Sequence, residues 1–217
     1  ALEPGVAEYQ ENLAAAYIEM ERYSDAESCL RKALEARQGP RACLLAGNLA
    51  LVYGDYPRAE AAYRLGLEAA PEDPALLAAL GRCYLGERKA AKARDCASRL
   101  SALDAAKEPE APRLAARLEE AILEATTEGL SCSSCGRTWR VPRELPAQSA
   151  ASIRAMPPDD SPAGACPSCG KVYCIACRKG DLVDSRFTCP DCGEPLKLAD
   201  NRLRWLVREA LKRDAGR

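Results

Sequence analysis

Four C-x-x-C pairs fall between Cys132 and Cys192: Cys132/Cys135, Cys166/Cys169, Cys174/Cys177 and Cys189/Cys192. Eight thiolates at this spacing make two complete sets of four metal ligands. The spacing argues against a disulfide framework, which belongs to short secreted chains. It also differs from the cysteine runs of iron–sulfur proteins. Two structural Zn²⁺ ions are the expected cofactors, and such ions supply folding free energy of about 10 kcal/mol or more each. The remaining four of the twelve cysteines, Cys29, Cys43, Cys83 and Cys96, stand alone at helical positions. Free core thiols beside metal thiolates fit a reducing, cytoplasmic setting.

The rest of the composition narrows the function. The 217 residues contain no histidine, so a Ser-His or Cys-His catalytic pair is excluded and the commonest general base is missing. An enzyme is not expected. No apolar run is long enough to span a bilayer, and no basic stretch followed by an apolar one suggests a secretory signal.

The chain divides into two parts of different character. Residues 1–128 are rich in Ala, Leu and Glu, with 16 Lys+Arg against 22 Asp+Glu, net −6. Residues 129–217 hold the paired cysteines, both tryptophans and the only phenylalanine, with 15 Lys+Arg and 10 Asp+Glu, net +5. Two zinc-bound Cys₄ sets add −8 + 4 = −4, which leaves this part near +1.

The first part repeats itself. MERYSDAESCL, VYGDYPRAEAAY and GERKAAKARDCA align with Ala26, Ala59 and Ala93 in register, 33 and 34 residues apart. Leu77-x-x-Leu80-Gly81-x-x-Tyr84 leads the third unit, and Leu13-Ala14-x-x-Tyr17 and Ala46-Gly47-x-x-Ala50 are weaker copies. This pattern resembles the tetratricopeptide repeat (TPR), a helical hairpin of about 34 residues. The resemblance implies three repeats, about 7–39, 40–73 and 74–107, and an amphipathic capping helix at about 110–128. Ala97 of the third unit stands where an aromatic is usual, so its second helix is expected to pack thinly.

A TPR array implies a concave groove lined by the first helix of each pair. In this register the lining is Glu8, Glu11, Ala15, Leu44, Asn48, Leu51, Ala78, Arg82 and Leu85. Only Asn48 and Arg82 suit a clamp for a peptide's C-terminal carboxylate. An apolar groove with an acidic end better suits an amphipathic partner helix carrying basic residues. Packing of the groove against another part of the same protein is the competing reading.

In the metal half, three pairs are followed by glycine: Gly136, Gly170 and Gly193. That is the zinc-knuckle form, in which a positive φ lets backbone N–H groups turn toward sulfur. Cys174/Cys177 is followed by Arg178-Lys179 and reads as a pair on a strand end or first helical turn. If Cys132, Cys135, Cys174 and Cys177 share zinc 1, then Cys166, Cys169, Cys189 and Cys192 share zinc 2 and the sites interleave. The cysteine order, with Asn201, Leu203, Leu206 and Val207 after the last knuckle, resembles the cross-braced RING and FYVE fingers. Sequential pairing, Cys132/135/166/169 and Cys174/177/189/192, is the arrangement of in-between-RING domains and double zinc ribbons.

The expected fold is thus an all-α TPR helical-hairpin array (1–128) followed by a small zinc-stabilised α+β RING-like domain (129–217). The expected role is a non-enzymatic interaction scaffold, with a partner peptide or helix in the TPR groove and a second protein on the finger. A RING-type ligase module contacting an E2 is one alternative; Ser133 and Ser134 fill the first pair, leaving Leu182 and Phe187 for an E2-facing patch. A nucleic-acid-binding ribbon is another, resting on Arg204, Arg208 and Lys212 with Arg202 and Arg213 nearby; such a stripe is more often a solvated helix face. The segment before the third cysteine, Asp159 to Ala165, is acidic where FYVE fingers are basic, so lipid binding is not expected. Trp139 and Val141 are expected to anchor the Pro- and Ser-rich loop between the first two pairs.

Overall fold

The computed structural model describes residues 4–146, 156–180, 182–183 and 186–215. The chain forms two compact units, Ala1–Ala125 and Thr126–Arg217.

The first unit is a TPR-like helical array. Its elements are α1 (Pro4–Glu19), α2 (Tyr23–Ala36), α3 (Pro40–Val52), α4 (Tyr56–Ala69), α5 (Pro74–Gly86), α6 (Ala90–Ser101) and α7 (Ala111–Thr126). Each hairpin closes by the same backbone turn. Arg22 N donates to Tyr17 O at 2.8 Å, Asp55 N to Ala50 O at 2.9 Å, and Lys89 N to Tyr84 O at 2.8 Å. The residue before each donor is left-handed: Glu21 (φ 58), Gly54 (φ 71) and Arg88 (φ 61). Only Gly54 takes that conformation without a steric cost. Between repeats, Pro40 and Pro74 open the next first helix at positions where a missing N–H costs nothing. Asp73 caps α5 by accepting from Leu76 N at 3.0 Å, and Asp55 caps α4 by accepting from Arg58 N at 3.1 Å.

The repeat alanines Ala26, Ala59 and Ala93 are each fully buried and let paired helices approach. In the second repeat the ring of Tyr63 lies over Gly47, where an added Cβ would sit 2.3 Å from it. The Tyr63 hydroxyl then donates to Asn48 Oδ1 at 2.8 Å. The corresponding position in the third repeat is Ala97, too short to fill the equivalent space over Gly81. Leu118 of α7 fills it, coming within 2.4 Å of where a Gly81 Cβ would stand. The thin packing expected from Ala97 is thus made good by the capping helix. Ala97 is itself only 2 % exposed, and Ala115, Leu118 and Ile122 join the same core as Leu77 and Leu80.

The second unit is built from short hairpins. Its elements are β1 (Thr127–Ser131), β2 (Thr138–Pro142), β3 (Pro162–Ala165), β4 (Val172–Cys174), α8 (Ile175–Arg178), β5 (Leu182–Val183), β6 (Arg186–Phe187) and α9 (Asn201–Ala215). β1 pairs antiparallel with β2 from Thr127↔Pro142 to Ser131↔Thr138. That pairing takes Thr127 and Glu128 out of the capping helix, which ends at Thr126 rather than near residue 128. β3 pairs with β4 and β5 with β6, and Thr188 bridges Pro195 beyond them. The apolar face of α9, formed by Leu203, Leu206, Val207 and Ala210, is buried. Val141 is fully buried, and Trp139, half-buried, donates from Nε1 to Asp160 O at 2.8 Å. Residues 147–155 of the intervening loop lie outside the described residues.

Leu118→Ala should cost the helical unit about 2–5 kcal/mol, because the space over Gly81 would stand empty. Chemical denaturation followed by helical circular dichroism measures this, and a loss below about 1 kcal/mol would contradict the filling role. Arg88→Gly should instead stabilise the same unit by roughly 0.5–1 kcal/mol, since it relieves a left-handed residue.

Candidate metal centres and partner groove

Each of the three glycine-bearing pairs forms the tip of a hairpin, and the three tips share one set of hydrogen bonds. At the first, Cys132 N donates to Arg137 O at 2.7 Å and Gly136 N to Cys132 O at 2.9 Å. At the second, Cys166 N donates to Lys171 O and Gly170 N to Cys166 O, at 2.9 and 3.0 Å. At the third, Cys189 N donates to Glu194 O and Gly193 N to Cys189 O, at 2.8 and 2.9 Å. Gly136, Gly170 and Gly193 have φ of 72, 73 and 73°, with open space where a Cβ would go. Conformation, not room, therefore requires glycine here.

The fourth pair is presented differently. Cys174 ends β4 and caps α8, and Cys177 lies within that single-turn helix. Its sulfurs meet those of the first tip: the ligand atoms of Cys132, Cys135, Cys174 and Cys177 all lie within 4.8 Å of one another. Those of Cys166, Cys169, Cys189 and Cys192, the second and third tips, form an equally close second group. Measured pairs are 3.8 Å for Cys135–Cys174, 3.3 Å for Cys166–Cys192 and 3.7 Å for Cys169–Cys189. A tetrahedron of sulfurs with metal–sulfur bonds near 2.3 Å has edges of about 3.8 Å. Both groups fit a tetrahedral Cys₄ metal ion. The geometry brings Cys132/Cys135 to Cys174/Cys177 and Cys166/Cys169 to Cys189/Cys192; the sequential grouping is not formed.

The donor set also has the electrostatics of a cation site. At Cys132 burial opposes ionisation, but N–H groups of Cys135, Cys174 and Ser134 outweigh it and bring the thiol down to about 6. The Cys174 N–H to Cys132 Sγ contact is 3.3 Å. At Cys189 burial again opposes, and N–H groups of Asp191 and Cys192 bring it down to about 6. Their neighbours go the other way. The Cys174 and Cys135 sulfurs push Cys177 up to about 12, and the Cys166 sulfur pushes Cys192 up to about 12. Four thiolates in one cluster need a compensating positive ion, which is what a divalent metal supplies.

Tyr173 connects the two clusters. It precedes Cys174 of the first cluster in β4, and its hydroxyl donates to Asp191 Oδ2 at 2.7 Å. Asp191 lies inside the Cys189/Cys192 pair and also accepts from Lys171 Nζ at 2.8 Å. The Tyr173 oxygen is 3.8 Å from Cys189 Sγ. Asp191 has no signal in the sequence, since nothing in C-P-D-C names the partner of its carboxylate. The same holds for the Glu128–Arg202–Asp200 network, in which Arg202 Nη1 donates to Glu128 Oε1 and Nε to Asp200 Oδ2, both at 2.8 Å.

The lone cysteines are core thiols. Cys29, Cys43, Cys83 and Cys96 are buried. Burial raises Cys83 and Cys96 to about 11, and burial with the nearby Glu11 charge raises Cys43.

The groove residues are not equivalent. Leu44, Leu51 and Leu85 are half-buried on α3 and α5, packed against the core with one edge outward. Arg82 is exposed. Ala78 is 4 % exposed and presents almost no surface, because the first-helix register turns it into the hairpin core. Asn48 is committed to Tyr63. In the first repeat Glu8 is exposed and Ala15 half-buried, whereas Glu11 is 3 % exposed and its Oε1 has no hydrogen-bond partner among the described residues.

On α9 most of the basic residues already have acceptors in their own unit. Arg204 Nε donates to Leu198 O at 2.6 Å, Lys212 pairs with Glu209 at 2.7 Å and Arg213 with Asp160 at 3.8 Å. Such engagement weakens a phosphate-tracking stripe. Phe187 is half-buried; the Leu182 side chain lies outside the described residues. No helix among the described residues is long and apolar enough to cross a membrane.

No protein-family model matches the chain, and no curated protein does. Solved structures of TPR domains do. The first TPR of Spaghetti (RPAP3), bound to the HSP90 peptide SRMEEVD, is 16% identical with a TM-score of 0.47, covering 55% of this chain and 95% of that one. The first TPR domain of human RPAP3 is 16% identical with a TM-score of 0.48, covering 57% of this chain and 97% of that one.

Tyr173→Phe should weaken metal retention in the Cys166/169/189/192 cluster by roughly tenfold, as loss of an outer-shell hydrogen bond does. The other cluster should be little changed. Competition with a chromophoric chelator resolves the two, and equal weakening of both would contradict the assignment. Stripping metal altogether should abolish the structure of residues 126–217. The helical signal of residues 4–125 should persist.

Proposed function

We propose that the chain is a non-enzymatic protein-interaction scaffold. The first-helix face of its TPR array binds an amphipathic peptide or helix carrying basic residues. Its second unit is a RING-like cross-brace held by two structural zinc ions, zinc 1 on Cys132, Cys135, Cys174 and Cys177 and zinc 2 on Cys166, Cys169, Cys189 and Cys192. That unit serves as a second interaction surface. Buried unpaired thiols beside thiolate ligands favour a reducing, cytoplasmic setting.

The observation that carries the groove reading is the outward edge of Leu44, Leu51 and Leu85, half-buried on the first helices, with Glu11 beyond one end. The Glu11 carboxylate is 3 % exposed and its Oε1 has no hydrogen-bond partner among the described residues, a state that a donor would stabilise. It lies at the Gly39 end of α3, with Leu44 and Leu51 further along the same helix. A Lys or Arg side chain meeting Glu11, with apolar residues on the leucines, satisfies both features. A carboxylate clamp is disfavoured, because Asn48 already bonds Tyr63.

Selection from a displayed random-peptide library tests this. Peptides retained by the chain but not by its Leu51→Asp variant should carry apolar residues three or four apart and at least one Lys or Arg. Their binding should fall at least tenfold in Leu51→Asp and in Glu11→Gln, each a loss of about 1.4 kcal/mol or more. Selection of acidic peptides that depend on a free C-terminal carboxylate would contradict the reading.

A further inference from the structure

The second unit contains a pocket that neither metal cluster explains. It has a volume of about 610 Å³ and lies between β2, the Asp160–Pro162 segment and α9. Pockets of this size accommodate small ligands or one or two side chains of a peptide. Its walls are the two indoles, Trp139 from β2 and Trp205 from α9, with Leu206 beside them. The Trp139 ring is fixed by its bond to Asp160 O. Ser161 also lines the pocket. It is 2 % exposed, and its hydroxyl oxygen has no hydrogen-bond partner among the described residues. A buried hydroxyl in that state lacks a polar contact that native interiors normally provide.

The charges on the rim are uneven. Of its two acids, Asp160 faces Arg213 at 3.8 Å, and Glu209 is paired with Lys212 at 2.7 Å. Arg140 of β2 and Arg137, just before that strand, are exposed on the same rim. Arg137 reaches only the Asp159 carbonyl, at 3.5 Å, and neither has a carboxylate partner among the described residues. Guanidinium groups beside indole faces recognise a carboxylate next to an apolar or aromatic side chain.

We propose that this pocket binds an acidic peptide segment, with an apolar side chain between Trp139 and Trp205, flanking carboxylates on Arg137 and Arg140, and a polar peptide group meeting the Ser161 hydroxyl. A nucleic-acid strand fits less well. Four basic side chains of α9 that could track a continuous phosphate backbone, Arg202, Arg204, Lys212 and Arg213, already have acceptors in the unit. The proposal rests on the reading of the metal unit as a second interaction surface and supplies its partner chemistry.

The test uses the protein's own reporters, because its only two tryptophans both line the pocket. The zinc-loaded full chain is titrated with the acetylated, amidated peptide Asp-Glu-Phe-Glu-Asp while tryptophan emission is followed. A saturable change is expected. It should be at least tenfold weaker with Asn-Gln-Phe-Gln-Asn, reduced in Arg140→Glu and reduced further in Arg137→Glu/Arg140→Glu. Ser161→Ala should bind the acidic peptide more weakly without losing stability, since it removes an unsatisfied hydroxyl. Zinc is counted on every sample. Absence of a response at full zinc occupancy overturns the pocket proposal and leaves the metal reading standing. An undiminished response to the amide peptide, or tighter binding of a single-stranded oligo-dT than of the acidic peptide, also overturns it. Failure of the chain to hold zinc overturns the underlying reading instead.

Discussion

The second unit depends on closure of two groups of four sulfurs. Its strands run from two to five residues, and its buried cluster around Tyr173 consists of that ring, Cys166 and Cys189, with Leu196 against it. Hairpins this short are at best marginally stable in water. The hydrogen bonds within each tip shape a donor pair but do not join one hairpin to another. The sulfur groups do, each bringing four possible metal-ligand atoms within 4.8 Å of one another from different hairpins.

Interleaving places the two groups on shared elements. The β3–β4 hairpin carries Cys166 and Cys169 at its tip and Cys174 at its base, so one hairpin spans both clusters. Ser133 N donates to Val172 O at 2.8 Å, which ties the first tip to β4, and Tyr173 reaches Asp191 in the third. The helical unit is different in kind. Its stability is distributed over repeated hairpin contacts, with α7 completing the last of them through Leu118.

Much of this was legible in the sequence. The 33- and 34-residue register of Ala26, Ala59 and Ala93 located the hairpins, and the glycines after three of four C-x-x-C pairs set the fourth pair apart. What stayed hidden required distance in space. Ala97 signals a missing aromatic, but only packing shows that Leu118 replaces it. Asn48 carries no mark that its amide is taken by Tyr63. Trp139 and Trp205 are far apart in sequence, and Ser161 is one of many serines, so their meeting in one pocket has no linear signature. Basic residues on α9 read as a stripe until their partners, Asp160 and Glu209 among them, are seen.

The most direct test of the account is metal stoichiometry in paired cysteine variants. The full chain should hold two zinc ions. Replacing Cys132, Cys135, Cys174 and Cys177 together by serine should leave one, because all four belong to one group. Replacing Cys132, Cys135, Cys166 and Cys169 should leave no complete site. If the second variant instead retains one tightly held zinc and the first retains none, the sites are sequential and the interleaved account is wrong.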